Sequence, residues 1–337
     1  MSIVSPVNNQ WIRRYGLIVG NDQVQIDLSQ LRFRFKIHSS DVETPNHAEI
    51  TVTNLAPGTS QQIQQEFTRV TLQAGYVNGA YGTIFQGDIR EFERGKENAT
   101  DSFLTILAAD GDLAYIKGIV NKALAAGQTA VQQLTAITGQ LTAQLGPGAI
   151  VLGPLLGLSL ATTIRGKSLY GMARDVIRRI AETNGVTWSI QGGALVTMPR
   201  TGAVGAGVAY VLNSQTGMIG IPKQTVDGIV VKSLLNPNVV IGSTVQINQN
   251  DIDQTIAAKG NQLSNTPGLT SFIPYNTSGK AGPQTLVTPT ADGFYRVMAI
   301  DREGDTRGTP WYNDMICSPI DGTLPLNPSS RILQNLP

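Results

Sequence analysis

Cysteine, histidine and charged residues are all scarce in this sequence of 337 residues. There is a single cysteine, Cys317, and there are two histidines, His38 and His47. One cysteine excludes an intramolecular disulfide framework, and these three residues do not form a ligand cluster at zinc-site spacing. Only 15% of the residues are charged, with 25 Lys and Arg against 24 Asp and Glu. No net field would draw the protein onto nucleic acid or lipid, and a single thiol suits folding in a reducing cytoplasm.

The longest uncharged stretch covers 42 residues, from Ala123 to Ile164. A membrane-spanning helix needs about 20 predominantly apolar residues. Here Pro147, Pro154 and several glycines divide the apolar half, while Gln and Thr are frequent in the other half. Charge is depleted at the centres of protein interfaces, so we predict that this stretch contacts another subunit or another protein. We expect no stable membrane insertion, and the opening residues do not follow the order of a signal peptide.

Residues 1–115 have the pattern of an antiparallel β domain. The segment LRFRFKIH alternates apolar with cationic side chains, which predicts a strand buried on one face. Its predicted buried side chains are Leu31, Phe33, Phe35 and Ile37, and its accessible ones are Arg32, Arg34 and Lys36. The segment HAEITVTNL alternates in the same way, with Ala48, Ile50 and Val52 opposite Glu49, Thr51 and Thr53.

Further elements of this region follow from its turns. A short helix is predicted after Pro57-Gly58, and strands are predicted in RVTLQAGY, GTIFQGDIREFERG and TDSFLTILAAD. The segment GKEN, Gly95 to Asn98, is predicted to be a hairpin loop because Gly and Asn tolerate positive φ. About six strands in this length favour a closed or nearly closed barrel, or a sandwich, with one attached helix.

Residues 116–204 are predicted to form a small α/β unit. SLYGMARDVIRRIAETNG predicts a helix with Ser168 as its N-cap and Gly185 at its C-terminal end. The predicted apolar face consists of Leu169, Met172, Ala173, Val176, Ile177, Ile180 and Ala181. A weaker helix is predicted near TAVQQLTAITGQL, and two strands, VTWSIQ and ALVTM, are predicted to join through Gly192-Gly193.

Residues 205–337 return to β structure. DGIVVKSLL and STVQINQN predict strands, and DGFYRVMAIDREGDTRGTPWYNDMIC predicts a long hairpin. Residues 251–290 are polar and aperiodic, which is uncommon inside a compact domain. We predict that they form either an ordered extension that contacts another chain or a mobile loop. The last residues are assigned to a C-terminal tail.

Residues with catalytic potential lack the context that catalysis needs. A Ser-His-Asp arrangement holds one histidine between a nucleophile and a carboxylate. No nucleophile motif accompanies His38 or His47, so both are expected to face solvent at strand ends. Glu91 and Glu93 share a strand face as a glycosidase pair would. They alternate with Phe92, which indicates a solvated face opposite a core.

Three short motifs approach ligand-binding patterns without completing them. DGD, Asp110 to Asp112, lacks the later ligands of a calcium loop and predicts a turn. ATTIRGKS ends like a P-loop but has Ala161 in place of the first glycine, and GAVGAG at 202–207 reverses the dinucleotide spacing. Both predict flexible connections. We therefore predict no catalytic, cofactor-binding or metal-binding residues, no cofactor and no enzymatic activity.

Nucleic-acid binding is the other class of function to consider. RFRFK interleaves cations with aromatic side chains, as sheets that bind single strands do. Such a sheet presents both on one face, whereas strand alternation places them on opposite faces here. Stable binding of nucleic acid is not predicted.

Several segments, taken in order, resemble the baseplate hub proteins of contractile-tailed phages. LRFRFKIHSSDVETPNHAEITVTNLAPGTSQQI, VTLQAGY, IFQGDI and TILAADGD follow the order of that family's N-terminal barrel. GKSLYGMARDVIRRIAETNGVTWSIQGGALVTMP is similar to its α/β insertion. TGMIGIPKQTVDGIVVKSLLNPNVVIGSTVQIN is similar to the opening of its second barrel, and GFYRVMAIDREGDTRGTPWYNDMIC to its closing hairpin. The resemblance covers the chain apart from residues 251–290 and the tail after Pro319.

The resemblance implies a mainly β (α+β) fold, with two tail-tube-like β-barrel domains and a small α/β insertion between them. The corresponding domains are 1–115, 116–204 and 205–337. It implies a structural virion protein, assembled in the host cytoplasm, that forms a homotrimer as the baseplate hub. The hub joins the sixfold tail tube to the threefold central spike and forms part of the DNA conduit.

The implied partners are other copies of the chain, the central spike protein, and the tail tube protein or a distal tube or tape measure protein. Other baseplate proteins are also implied, and viral DNA passes through the lumen only transiently. The alternatives are a peptidoglycan-degrading tail enzyme and a tail-tube or tail-terminator protein. A tube protein is usually one barrel of about half this length, so the second β region favours the hub.

Overall fold

The computed structural model describes residues 2–4, 10–21, 23–146, 149–200, 208–225, 228–247 and 293–320. The strands are β1 (Ser2–Val4), β2 (Arg13–Gly20), β3 (Gln25–Asp27), β4 (Phe33–Ser40), β5 (His47–Thr53), β6 (Arg69–Tyr76), β7 (Tyr81–Lys96), β8 (Ser102–Ala109), β9 (Ile119–Leu124), β10 (Val151–Leu155), β11 (Lys167–Met172), β12 (Val186–Gln191), β13 (Ala194–Pro199), β14 (Val208–Leu212), β15 (Met218–Gln224), β16 (Ile229–Leu234), β17 (Thr244–Ile247), β18 (Phe294–Asp305) and β19 (Trp311–Pro319). The helices are α1 (Pro57–Glu66), α2 (Asp112–Lys117), α3 (Ala130–Leu145) and α4 (Ala173–Thr183). The chain is mainly β, as predicted.

Fourteen strands form one large open sheet in the order β1-β14-β17-β18-β4-β5-β8-β7-β6-β2-β3, with β19, β16 and β15 attached in turn to β18. The long strand β18 is shared between two neighbours on one edge. Its first residues pair with β17, and residues 299–305 pair with β4. The contact between β4 and β18 therefore divides the sheet into two halves of seven strands. One half consists of β2 to β8, and the other consists of β1 and β14 to β19.

The core under β2 to β8 confirms the register predicted for LRFRFKIH. Phe33, Phe35 and Ile37 are buried, while Arg32 and Lys36 are exposed. The two remaining side chains, Leu31 and Arg34, are partly buried. Strand β5 adds Ala48, Ile50 and Val52 to the same core, and Thr53 is also buried. This core is the largest apolar cluster in the N-terminal half of the described chain.

Strand β2 is an element that the sequence pattern did not reveal. It pairs with β6 over its whole length, from Arg13 opposite Tyr76 to Gly20 opposite Arg69. Leu17 and Val19 are fully buried in the core. Two alternating apolar residues were too weak a signal, since an amphipathic strand is identified over four or more residues.

The hairpin between β7 and β8 turns later than predicted. Gly95 lies inside β7, and the loop covers residues 97–101. The Asn98 side-chain oxygen accepts hydrogen bonds from the backbone N–H groups of Thr100 and Asp101, which closes the loop. A Cβ at Gly95 would lie 2.8 Å from the Phe103 ring, so this glycine accommodates a cross-strand aromatic side chain.

The α/β unit packs α3 and α4 against two small sheets, β9–β11 and β10–β13–β12. Helix α3 begins with a capping box in which Thr129 and Gln132 satisfy each other's backbone N–H groups. Gly192 and Gly193 have φ values of 61° and 78° and join β12 to β13 in a two-residue hairpin, as predicted.

The helix predicted from Ser168 begins five residues later, at Ala173. Lys167–Met172 instead form β11, which pairs antiparallel with β9. Ser168 is therefore not an N-cap; Met172 occupies that position without a side-chain cap bond. The rest of the predicted face is correct, because the buried residues of α4 are Ala173, Val176, Ile177, Ile180 and Ala181. Gly185, with φ of 67°, follows the helix as predicted.

The C-terminal strands confirm the predicted hairpin of β18 and β19 and the strands β16 and β17. Their core includes Val231, Val245, Tyr295, Val297 and Met315. The predicted loop at 251–290 lies outside the described residues.

Candidate functional site

The β4–β18 pair is the seam at which N-terminal and C-terminal strands join. Its ladder runs from Ser40 opposite Ala299 to Arg34 opposite Asp305. At one end Thr306 makes two hydrogen bonds of 3.1 Å with the backbone of Phe33. The Thr306 N–H donates to the Phe33 carbonyl oxygen, and the Thr306 hydroxyl accepts from the Phe33 N–H. Arg32 adds an ion pair of 2.7 Å to Asp305. The seam therefore makes one sheet from segments that are far apart in the sequence.

The tip of the β18–β19 hairpin is fixed by a residue of β2. The Arg13 guanidinium donates hydrogen bonds to the backbone carbonyl oxygens of Asp305, Gly308 and Thr309. It also lies 5.1 Å from the centre of the Trp311 ring. Trp311 in turn packs edge to face against Phe35, with ring centroids 5.5 Å apart. A C-terminal hairpin thus completes the N-terminal core.

A charged cleft of about 480 Å³ lies on the face of the seam opposite the core. Its polar lining residues are Lys36, His38, His47, Glu49, Asp301, Arg302, Glu303 and Asp314. We call this group the seam cleft. His38 Nδ1 lies 2.5 Å from Asp301 Oδ1, and this hydrogen bond raises the pKa of His38. Burial and the neighbouring His38 lower the pKa of His47, whose ring centroid is 5.3 Å from that of His38.

The composition of the seam cleft suits ionic contacts better than covalent catalysis. Among the described residues that line it, none carries a hydroxyl or thiol beside the two histidines. Across the parts of the chain that the structure describes, no group of three or more His, Cys, Asp and Glu residues is placed to hold a metal ion. His47 is exposed at its strand end, as expected, whereas His38 is half-buried in the pair with Asp301.

Asp110 has a structural role that its sequence motif did not reveal. The predicted turn is present, since Gly111 has φ of 64° and Asp112 begins α2. Asp110 itself is 2% exposed, and its two carboxylate oxygens accept hydrogen bonds of 2.6 Å from the N–H groups of Gly192 and Gly193. Burial raises the pKa of Asp110 to about 6, although these donors oppose the shift.

Asn46 and Gln191 extend this contact. Asn46 Nδ2 donates to the Ile190 carbonyl oxygen at 2.9 Å and to Gln191 Oε1 at 3.0 Å. Gln191 Nε2 donates to the Ser40 carbonyl oxygen at 2.8 Å. We call Ser40, Asn46, Asp110 and residues 190–193 the polar junction. It attaches the β12–β13 hairpin to the ends of β4 and β5.

Two ion pairs flank the polar junction. Arg296 of β18 lies 3.1 Å from Asp41 and donates a hydrogen bond to the Pro199 carbonyl oxygen. Burial raises the pKa of Asp41 and lowers that of Arg296. Arg178 of α4 binds Glu43 with an N–O distance of 2.8 Å. The segment between β4 and β5 thus contacts both the α/β unit and the C-terminal strands.

The other residues considered for chemistry lie in separate places. Glu91 and Glu93 are exposed on β7 while Phe92 packs against the core, which confirms the solvated-face interpretation. Cys317 is buried, and burial raises the pKa of its thiol to about 12, so it is not a reactive thiolate. ATTIRGKS leads into β11, and 202–207 lies outside the described residues.

The uncharged stretch from Ala123 to Ile164 is divided among several elements. It contains the end of β9, all of α3 and β10, and the connection towards β11. Leu160 and Ile164 are 84% and 94% exposed. No helix within the described ranges is both long and apolar enough to cross a membrane.

No protein-family model and no curated protein matches the sequence. Solved structures do match. The tail protein from Neisseria meningitidis MC58 has 10% identity and a TM-score of 0.53, with 93% of this chain and 98% of that chain covered. An E. coli component of the type VI secretion system, described as similar to the T4 phage tail proteins gp27 and gp5, has 11% identity and a TM-score of 0.52. The match covers 93% of this chain and 79% of that one.

A chain of the Francisella PdpA-VgrG complex also matches, with 6% identity and a TM-score of 0.51. This match covers 94% of the present chain and 59% of that one. The chain therefore has the fold of bacterial phage-type tail proteins.

Proposed function

We propose that this protein is a structural component of a phage tail, the baseplate hub that links the tail tube to the central spike. The observation that carries the proposal is the match to the Neisseria tail protein, which spans 93% of this chain and 98% of that chain. The type VI component described as similar to gp27 and gp5 supports the same kind of role. Both likenesses are of fold, and the role and the assembly are our proposal.

The proposed domains are 1–115, 116–204 and 205–337. Three hydrophobic cores support this division, because each is composed mainly of residues from one of the three segments. The exceptions are Leu235 and Trp311, which contribute to the N-terminal core, Ala114, which contributes to the second core, and Val196 and Met198, which contribute to the third. Seven strands lie on each side of the seam, and we propose that each set corresponds to one tube-like barrel.

The proposed assembly is a homotrimer. Three chains with two similar β units each present six units, which can dock on a sixfold tube while the threefold axis matches a trimeric spike. Head-to-tail contacts form a closed ring when their rotation closes. The near-neutral charge of the chain, with 25 basic against 24 acidic residues, suits a conduit that does not bind passing DNA strongly.

The mass of the purified full chain in solution tests this proposal. Multi-angle light scattering of the chain alone is expected to give three times the chain mass of 35.9 kDa, and with a spike protein added, three chain masses plus the mass of the spike. A monomer under all these conditions, or a stack of hexamers, contradicts the hub. The enzyme alternative is tested separately on a peptidoglycan gel, where clearing that is lost in Glu91→Gln or Glu93→Gln would establish a hydrolase.

A further inference from the structure

Strand β11 has a free edge on the surface of the α/β unit. Among the described strands it pairs only with β9, in a sheet of two strands. The backbone N–H groups of Ile119 and Asn121 bond to the side chains of Gln144 and Gln140, so these positions of β9 point away from β11. In an antiparallel ladder their opposite residues, Met172 and Tyr170, must also point away from the partner strand.

The outward groups of β11 have no partner within the described part of the chain. The Ala173 N–H donates a hydrogen bond to the Gly118 carbonyl oxygen, so Ala173 faces the partner strand. Because successive residues of a strand alternate in direction, Ser168 and Tyr170 direct both N–H and C=O outward. Ser168 is exposed, and Tyr170 is 73% exposed. A Cβ at Gly171 would meet nothing within 4 Å. The edge is therefore open to a third strand, whereas glutamine side chains of α3 cover the outer edge of β9.

The surroundings of this edge carry several exposed cations. Lys117, Arg165 and Lys167 are exposed, and within the ranges that the structure describes none of them forms an ion pair. The excess of positive charge extends over the whole α/β unit, because residues 116–204 contain eight Lys and Arg but only two Asp and Glu. The rest of the chain contains 17 Lys and Arg and 22 Asp and Glu. Apolar side chains flank the cations, since Leu160 and Ile164 are largely exposed.

We propose that the outer edge of β11 is a docking site for an extended acidic segment of another protein, which pairs as a third strand. Backbone hydrogen bonds to Ser168 and Tyr170 would supply affinity, as in other cases of strand addition. Arg165 and Lys167 select carboxylates, and Tyr170 and Ile164 contact the apolar side chains of the segment. A second copy of β11 is a poor occupant, because pairing the edge with itself brings two sets of cations together.

The test uses the full chain and three sets of nine-residue peptides. All peptides alternate Val or Thr with a second residue, which is Glu in the first set, Lys in the second and Ser in the third. Fluorescence anisotropy is expected to show binding for the Glu set, at least about tenfold weaker binding for the Ser set and none for the Lys set. Equal binding of all three sets, or no binding of the Glu set, overturns the proposal.

Two variants locate the bound peptide. Tyr170→Pro removes an outward N–H without breaking a bond to β9, and Lys167→Glu reverses a charge at the edge; each is expected to weaken binding of the Glu set at least about tenfold. Lys223→Glu, on the edge strand β15, makes the same change of charge elsewhere and should leave binding within about twofold. If Lys223→Glu weakens binding equally, the attraction is not specific to β11.

Other occupants give different results. If Tyr170→Pro abolishes self-association of the chain in light scattering, a second copy occupies the edge and the proposal is wrong. If a single-stranded oligonucleotide binds, and binding is lost in Lys167→Glu but kept in Tyr170→Pro, the surface binds nucleic acid. Both outcomes leave the trimeric hub to be decided by its own measurement.

Discussion

Individual side chains decide the register of the sheet, and Phe33 gives the sharpest case. It is fully buried and contacts Tyr15 edge to face, with ring centroids 5.5 Å apart. Phe33→Ala should lower the free energy of unfolding by about 3–5 kcal/mol, because the cavity adds to the lost apolar burial. Urea unfolding followed by fluorescence measures this change.

Lys36→Ala, three residues along the same strand, is the matched control. Lys36 is exposed, so this substitution should change stability by no more than about 0.5 kcal/mol. Similar losses for both variants would mean that the two faces of β4 are assigned incorrectly.

Asp110 gives the polar junction a dependence on pH. Its pKa in the folded protein, about 6, lies above the ordinary value of 3.8. Between these values the folded protein holds more protons than the unfolded chain, so stability contributed by this group falls as pH rises. The contribution is fully present below about pH 4 and is lost as the pH passes about 6.

Asp110→Asn removes this titration while keeping the size of the side chain. The difference in unfolding free energy between wild type and variant is expected to decrease from pH 4 to pH 6 and to be constant above about pH 7. Denaturant unfolding at several pH values measures it. A difference that rises with pH would show that the N–H groups of Gly192 and Gly193 outweigh burial.

At the scale of elements, local pattern predicted the strands whose two faces differ in polarity. β4, β5, β18 and β19 were found in this way, because burial on one face leaves a period of two in the sequence. The α4 face was also found from its spacing. The apolar positions of β11 also fit a helix, which is why a helix was predicted there. The segment is a strand because it pairs with β9, which lies more than 40 positions earlier in the sequence.

The contacts of the candidate site could not be predicted from local pattern. Asp110 contacts a turn 82 residues later, and Asn46 contacts Ile190 from 144 residues away. Nothing in a DGD or PNH segment indicates which distant backbone groups it meets. The seam could not be predicted from local pattern either, because β4 and β18 are more than 250 residues apart in the sequence.

Two glycines in different elements are expected to respond oppositely to alanine. A Cβ at Gly304 of β18 would overlap the rings of Phe35 and Trp311, so Gly304→Ala should cost about 1–3 kcal/mol by overpacking the seam. Gly139 is exposed within α3 and has open space around it, so Gly139→Ala should stabilise by about 0.5–1 kcal/mol. Thermal unfolding compares them, and a neutral Gly304→Ala would show that the seam packs loosely.

At the scale of the whole molecule, the uncharged stretch from Ala123 to Ile164 is expected to meet protein and not lipid. Its exposed residues, such as Leu160 and Ile164, are separate side chains on a connection and not one face of a long helix. The isolated chain should remain soluble without detergent and should not sediment with liposomes. Stable association with neutral liposomes would contradict this prediction.

The central claim is that three copies of this chain form a ring of six similar β units. Cryo-electron microscopy of the purified protein, with a spike protein if the chain requires one, tests this claim most directly. The account predicts class averages with threefold symmetry and six lobes of β density around a central channel, the two lobes of each chain meeting at the β4–β18 seam. Twofold or true sixfold symmetry, or one β lobe per chain, would contradict it.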